Sequence, residues 1–306
     1  MKRIAIICVI LCTPLLINAQ VQIPTLDDLD HEIAMSSQYD KQYEDVIRSV
    51  KKQLHAAKTL KARCELSNKL FNLYSSYSVD SAIVYAMEKQ KIAKAMGNQS
   101  KVNDAKLNLA YLLIRGGELK EASDIINSIP RSEINQDLSF YYFSTRKTLY
   151  HTLADAALIP SQRKQYKQME KLCNDSVVDN NQSPDIWSRA EQLVNRQQYE
   201  QAKKILLDAY HHLKPGDRQT AFVSISLADI YGREKNVEAQ KQYLIAAAIS
   251  DIRNSVKEYL ALQQLAMILF EEGDTKRAYA YMDHAMNDAV FCNARQRTIA
   301  MADVWP

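Results

Sequence analysis

The sequence predicts an all-α fold, an array of about six stacked helical hairpins. Ala82, Ala122, Ala202, Ala239 and Ala278 each sit early in an amphipathic segment, at steps of 40, 80, 37 and 39 residues. A fixed period near forty marks supersecondary units that cannot bury an apolar face alone and so stack on their neighbours. The double step places one more, divergent unit around Gln162, where another helical segment begins. Only 6 Gly and 7 Pro occur in 306 residues, which suits long uninterrupted helices rather than a sheet-rich or linker-rich chain.

The elements follow in order. Residues 1–19 read as a secretory signal: Lys2 and Arg3 form a basic start, Ile4 to Leu16 an apolar stretch, and Ile17-Asn18-Ala19 a cleavage site before Gln20. The apolar stretch is too short to span a bilayer, and Thr13-Pro14 interrupts it. Cys12 does not read as a lipidation site, because bulky Leu11 precedes it. Residues 20–59 form an N-terminal helical cap, expected as a short acidic helix (Leu26, Leu29, Ile33) and a longer one (Tyr39, Tyr43, Val46, Val50, Leu54). End units of a stack must face water, which suits a polar cap.

The repeat array is expected over residues 60–290. Its clearest unit runs from Val102 to Pro130: Leu107, Ala110, Tyr111 and Ile114 recur at helical spacing, Gly116-Gly117 breaks the helix, and Glu118 to Ala122 starts the next. Ala122 is small because two helices cross closely there, and Ile126 and Ile129 continue the apolar stripe. A similar set is Leu265, Ala266, Leu269, Gly273, Ala278, Met282 and Ala285. Ala190, Leu193, Tyr199, Ala202, Leu206 and Ala209 repeat it with Gln197 at the turn; Leu227, Ala228, Tyr231, Ala239, Tyr243 and Ala246 repeat it with a turn one residue short. Leu70, Phe71, Tyr74, Ala82 and Ala86 make a weaker unit with Ser78-Val79-Asp80-Ser81 at the turn. The middle unit, Leu138 to Val178, is Tyr-rich, and the polar run Asn174 to Ser183 reads as a loop. Residues 291–306 are expected as a C-terminal capping helix, Arg297 to Trp305, that packs Ile299 on Ala285 and Ala289 or leaves an apolar end for a second copy.

This pattern resembles the tetratricopeptide repeat, with its small residue on the first helix, glycine at the turn and alanine on the second. The resemblance covers roughly residues 60 to 290 and implies a right-handed superhelix. Other helical solenoids run near this period, but they do not imply the glycine-to-alanine spacing of 117–122 and 273–278. At whole-chain level the sequence resembles the periplasmic half of bacterial tetratricopeptide regulators that carry a signal peptide, a repeat array, one transmembrane helix and a signalling tail. Ala19-Gln20, Leu26-Asp27-Asp28-Leu29-Asp30, Tyr77 to Ala82, and Asn293 to Ile299 carry that resemblance. No apolar run of about 20 residues precedes Trp305-Pro306, so no transmembrane helix is expected after signal cleavage.

The chemistry-bearing motifs point away from an enzyme. There is no His-Glu-x-x-His, no Gly-x-Ser-x-Gly, no Gly-rich phosphate loop and no Cys-x-x-Cys. No cofactor and no metal site is expected. His211-His212 are adjacent on a helix and point about 100° apart, which suits an exposed helix end near Lys214-Pro215-Gly216. Asp27-Asp28 and Glu271-Glu272 read as solvated charge at helix ends. After signal removal Cys64, Cys173 and Cys292 remain, too few and too scattered for a disulfide framework, and read as small packing residues. Without Lys2 and Arg3, 37 basic side chains stand against 36 acidic, so no nucleic-acid footprint is expected. Asn98, Asn174 and Asn181 open glycosylation sequons, read as chance behind a bacterial-type signal.

What remains is a surface. In tetratricopeptide arrays the first helix of each hairpin lines the concave face. The resemblance thus implies a partner-binding groove from Tyr111, Arg115, Trp187, Glu191, Asn195, Ile225, Asp229, Arg233, Met267 and Phe270. Aromatic anchors among Arg and acids suit an extended protein or peptide partner. The expected function is an exported, non-enzymatic helical-repeat protein binding such a partner in the bacterial envelope. The alternative expectation is a shortened periplasmic sensory domain of a membrane-anchored transcriptional or signalling regulator.

Overall fold

The computed structural model describes residues 24–179, 186–213, 216–257 and 260–305. Among them are fourteen α-helices and one 3-10 turn, with no strand. The expected cleavage site at Ala19-Gln20 and the sequon at Asn181 lie outside the described residues.

Six hairpins follow a long first helix. They are α2 (Leu60–Tyr74) with α3 (Val79–Ala95), α4 (Gln99–Gly116) with α5 (Leu119–Asn127), and α6 (Gln136–Ala156) with α7 (Pro160–Asp179). Then come α8 (Ile186–Asn195) with α9 (Tyr199–His212), α10 (Arg218–Arg233) with α11 (Val237–Arg253), and α12 (Leu260–Glu271) with α13 (Thr275–Cys292). A final unpaired helix, α14, spans Arg295–Val304. The phased alanines explain themselves here. Ala82, Ala122, Ala202 and Ala278 are each the fourth residue of a second helix and are fully buried, which lets the paired backbones approach.

Four hairpins share one turn. Gly117, Gln197, Lys235 and Gly273 all have positive φ, between 60° and 90°. In each case the next amide reaches back to the carbonyl five residues earlier, as in Glu118 to Leu113 and Asp274 to Leu269 at 2.8 and 2.9 Å. This is the left-handed helix end that glycine favours, held at Gln197 and Lys235 by residues that carry a Cβ. At the α2–α3 turn Ser78 caps α3 instead, its hydroxyl accepting from the Ser81 amide.

Three local expectations change. The N-terminal flank is not two helices but one, α1 (Leu26–Ala56), opened by a capping box between Thr25 and Asp28. The Asn174–Ser183 run is helical as far as Asp179, where α7 ends, and the rest lies outside the described residues. In α14, Ile299 is exposed; Met301, fully buried, takes the place beside Ala285 and Ala289.

The array closes on itself. Leu29 of α1 is buried in the cluster built from α10 to α14, with Ala228, Leu262, Leu265 and Met282. Ile47 and Val50, further along α1, are buried with Leu70, Phe71 and Tyr74 of α2. One helix, about 46 Å long at 1.5 Å per residue, therefore packs on both ends of the stack. The end of the array meets its beginning a second time: Cys292 and Ala294 share a core cluster with Tyr77, Val79, Ala82 and Leu112.

Candidate functional site

Closure is built from charge as well as apolar burial. The first 20 of the 31 residues of α1, 26–45, hold seven Asp and Glu against one Lys. Arg277 on α13 binds Asp30 at 2.9 Å and also Asp27, while the Tyr281 hydroxyl donates to Asp30 at 2.6 Å. Arg253 at the end of α11 binds Glu32, which also accepts from the Tyr39 hydroxyl at 2.7 Å. These donors hold the Glu32 carboxyl below the usual carboxylate range, Arg253 first among them. Lys257, only 3% exposed, sits between Asp40 at 2.7 Å and Asp288 at 3.1 Å.

The α2–α3 turn is the second half of the closure. Arg115 donates to the Ser75 carbonyl, the Lys257 amide to the Ser76 carbonyl at 2.7 Å, and Arg218 to the Ser76 hydroxyl at 2.9 Å. Tyr77 donates to Glu44 at 2.9 Å, and its ring lies 5.2 Å from Tyr43 and 5.4 Å from Phe291. Burial and the Glu44 hydrogen bond push the Tyr77 hydroxyl well above its ordinary value. Asn293 reaches back to Asp80 at 2.9 Å. The three internal segments that carry the family resemblance, Leu26 to Asp30, Tyr77 to Ala82 and Asn293 to Ile299, are thus segments that make the closing contacts. Asp27, read as solvated charge, has Arg277 as a partner, and Glu272 has Lys241 at 2.8 Å.

Closure decides what the sequence-derived groove residues face. Tyr111 lies under the Arg115 guanidinium, 5.5 Å from ring centre to carbon, and Arg115 itself is turned to Ser75. Arg297 of α14 is packed nearby, where burial and the Arg115 charge lower its pKa. Ile225 and Met267 are half-buried against the cluster that contains Leu29. Phe270 lies edge-on to Trp305 at 5.5 Å, so the chain's own C-terminal helix shields it.

The middle of the set is different. Asn195 is exposed at the end of α8. Asp229 and Arg233 form a solvent-facing ion pair at 3.0 Å, with the Arg233 guanidinium 5.8 Å from the Tyr199 ring centre. Glu191 is half-buried and binds Lys147 of α6 at 2.8 Å. Trp187 belongs to α8, and its side chain lies outside the described ones. The nine positions with described side chains therefore divide: those on α4 and α12, with Ile225, are engaged by the molecule itself, Glu191 is tied to Lys147, and Asn195, Asp229 and Arg233 keep polar, solvent-facing groups. The closure residues Arg218, Arg253, Lys257 and Arg277 escaped sequence reading. The signal that could have exposed them is the acidic run of α1 set against basic residues at and between the helix ends of the last two hairpins.

No group of three His, Cys, Asp or Glu among the described residues could hold a metal ion. Cys64, Cys173 and Cys292 are buried, and burial pushes the last two thiols up. No helix among the described residues is long and apolar enough to cross a membrane.

Six stacked hairpins, four of them sharing a left-handed turn and four carrying a fully buried alanine where the helices cross, define a tetratricopeptide-type helical-repeat protein. Its closed form, with one helix strapped over both ends, is the particular arrangement of this chain. The chain belongs to the family described as the SusR N-terminal TPR domain, whose model matches residues 33–303. No curated protein matches it.

Proposed function

We propose that this chain is a non-enzymatic sensor module that binds a protein or peptide partner in the bacterial envelope through the face of α8–α10. The supporting observation is the family match over nearly the whole array, in a molecule whose other groove positions are taken up by its own closure. Trp187, Glu191, Asn195, Asp229 and Arg233 are the residues proposed to meet the partner. Arg233 presents a planar guanidinium beside an aromatic ring, a pairing that recurs where interfaces concentrate their energy. The signal-like residues 1–19 support placement beyond the inner membrane.

Cross-linking in envelope extract tests the reading. The chain should capture a defined partner, and Trp187→Ala and Arg233→Ala should each reduce capture while helical content stays intact. A partner retained equally by both variants, or found only in cytoplasmic extract, refutes it.

A further inference from the structure

We propose that the outer face of the first hairpin, where α3 meets the end of α1, is a docking surface for an acidic, apolar peptide segment of a partner protein. This surface is separate from the α8–α10 face and does not depend on it.

The observations begin with exposure. Val84 and Met87, three residues apart on one face of α3, are 60% and 56% exposed. Single exposed hydrophobics are ordinary on a protein surface; these two are not single. With Leu54 of α1 and with Tyr85, Glu88 and Lys91 they line an open cleft of about 620 Å³ whose accessible lining is mostly apolar. Contiguous apolar surface with a polar rim marks an interaction site. The floor is held rigid. Tyr85 stacks on Tyr74 with ring centres 5.6 Å apart and planes within 6°, and Lys51 lies 5.3 Å from the Tyr74 ring centre. A fixed aromatic floor loses little conformational freedom when it is covered.

Charge selects the occupant. Residues 46–103 hold eleven Lys and Arg against three Asp and Glu, and every one of those basic residues except Lys89 is exposed. Glu88, the acid lining the cleft, is bound by Arg63 at 2.7 Å. A cleft with apolar walls inside a positive field is complementary to a segment with apolar side chains flanked by Asp or Glu. The two apolar side chains sit beside the fixed aromatic ring of Tyr85 and the Glu88–Arg63 ion pair, a small mixed surface that suits a peptide's alternating side chains better than a lipid surface, which needs a larger apolar face to insert.

A random peptide display library panned on the whole chain tests this, with counter-selection on the Val84→Glu, Met87→Glu double variant. The selected peptides should carry Asp or Glu around Leu, Ile, Phe or Trp and should bind more weakly as salt rises. Their affinity should fall at least about tenfold on the double variant and on Lys51→Glu, Lys91→Glu, as for loss of central contacts. The exposed positions leave thermal melting of the double variant unchanged, and Arg233→Ala leaves this binding intact, so the two surfaces stand or fall separately. Selected peptides without an acid–apolar pattern, or equal binding to the double variant, overturn the proposal. So does recruitment to phosphatidylglycerol vesicles that the double variant loses, which would make the occupant a lipid surface.

Discussion

Replacing Lys257 with Met removes the charge at the centre of the closure and leaves its backbone bond to Ser76 in place. The Nζ holds two carboxylates, Asp40 at 2.7 Å and Asp288 at 3.1 Å, from a side chain that is 3% exposed. Removing one partner of a buried ion pair costs about 3–5 kcal/mol, because the other partner stays desolvated and unpaired. Here Asp40 keeps 28% of its side-chain exposure, so water screens part of the penalty and the lower end, about 3 kcal/mol, applies. That corresponds to roughly a hundredfold rise in opening of α1, at about 1.4 kcal/mol per tenfold. Amide hydrogen exchange along α1, with urea unfolding followed by circular dichroism, reads it. Adding Asp40→Asn and Asp288→Asn to Lys257→Met should recover at least half of the loss. A cost under about 1 kcal/mol, the size of a surface ion pair, or a triple variant no more stable than the single one, refutes the reasoning.

Two further outcomes follow from the same structure. Burial pushes the Asp251 carboxyl up to about 7 against the opposing pull of Arg218. The fold thus favours the neutral form: this group's contribution is full below about pH 4 and is lost as pH rises through about 7. Urea midpoints of wild type minus Asp251→Asn, measured across that range, should fall with rising pH, and a flat difference would falsify the assignment. At the hairpin turns, Gly117→Ala should cost about 1 kcal/mol at φ +84°. Lys235→Gly, at φ 60°, should be neutral or stabilising by up to about 1 kcal/mol; midpoints that both move down contradict the turn argument.

The hairpins were legible because their determinants are local. Ala122 and Ala278 mark the crossings, Gly117 and Gly273 the turns, and both act within five residues in sequence. Gln197 was read at its turn by alignment with its neighbours, although its own type gives no reason for positive φ. The continuity of α1 was less visible: Ser36-Ser37-Gln38 interrupts the apolar stripe, yet the packing on either side keeps it helical. Closure was not legible from the periodicity. Arg277 finds Asp30 across 247 residues, and no periodicity encodes a contact between the two ends of an array. The groove residues were therefore chosen for an open superhelix. Phe270 meets Trp305, and Ile225 and Met267 flank the cluster that α1 joins, because the ends of the chain return to those units.

The strap also has a mechanical meaning. Leu26 and Trp305 pack against one and the same cluster, so the first and last described turns of the chain leave the body at a common pole. A pull applied through both ends would not stretch the coil of hairpins like a spring. It would load the contact of α1 with α13 directly, at Arg277, Asp30 and Tyr281, and the coil would bear tension only after that latch gave way.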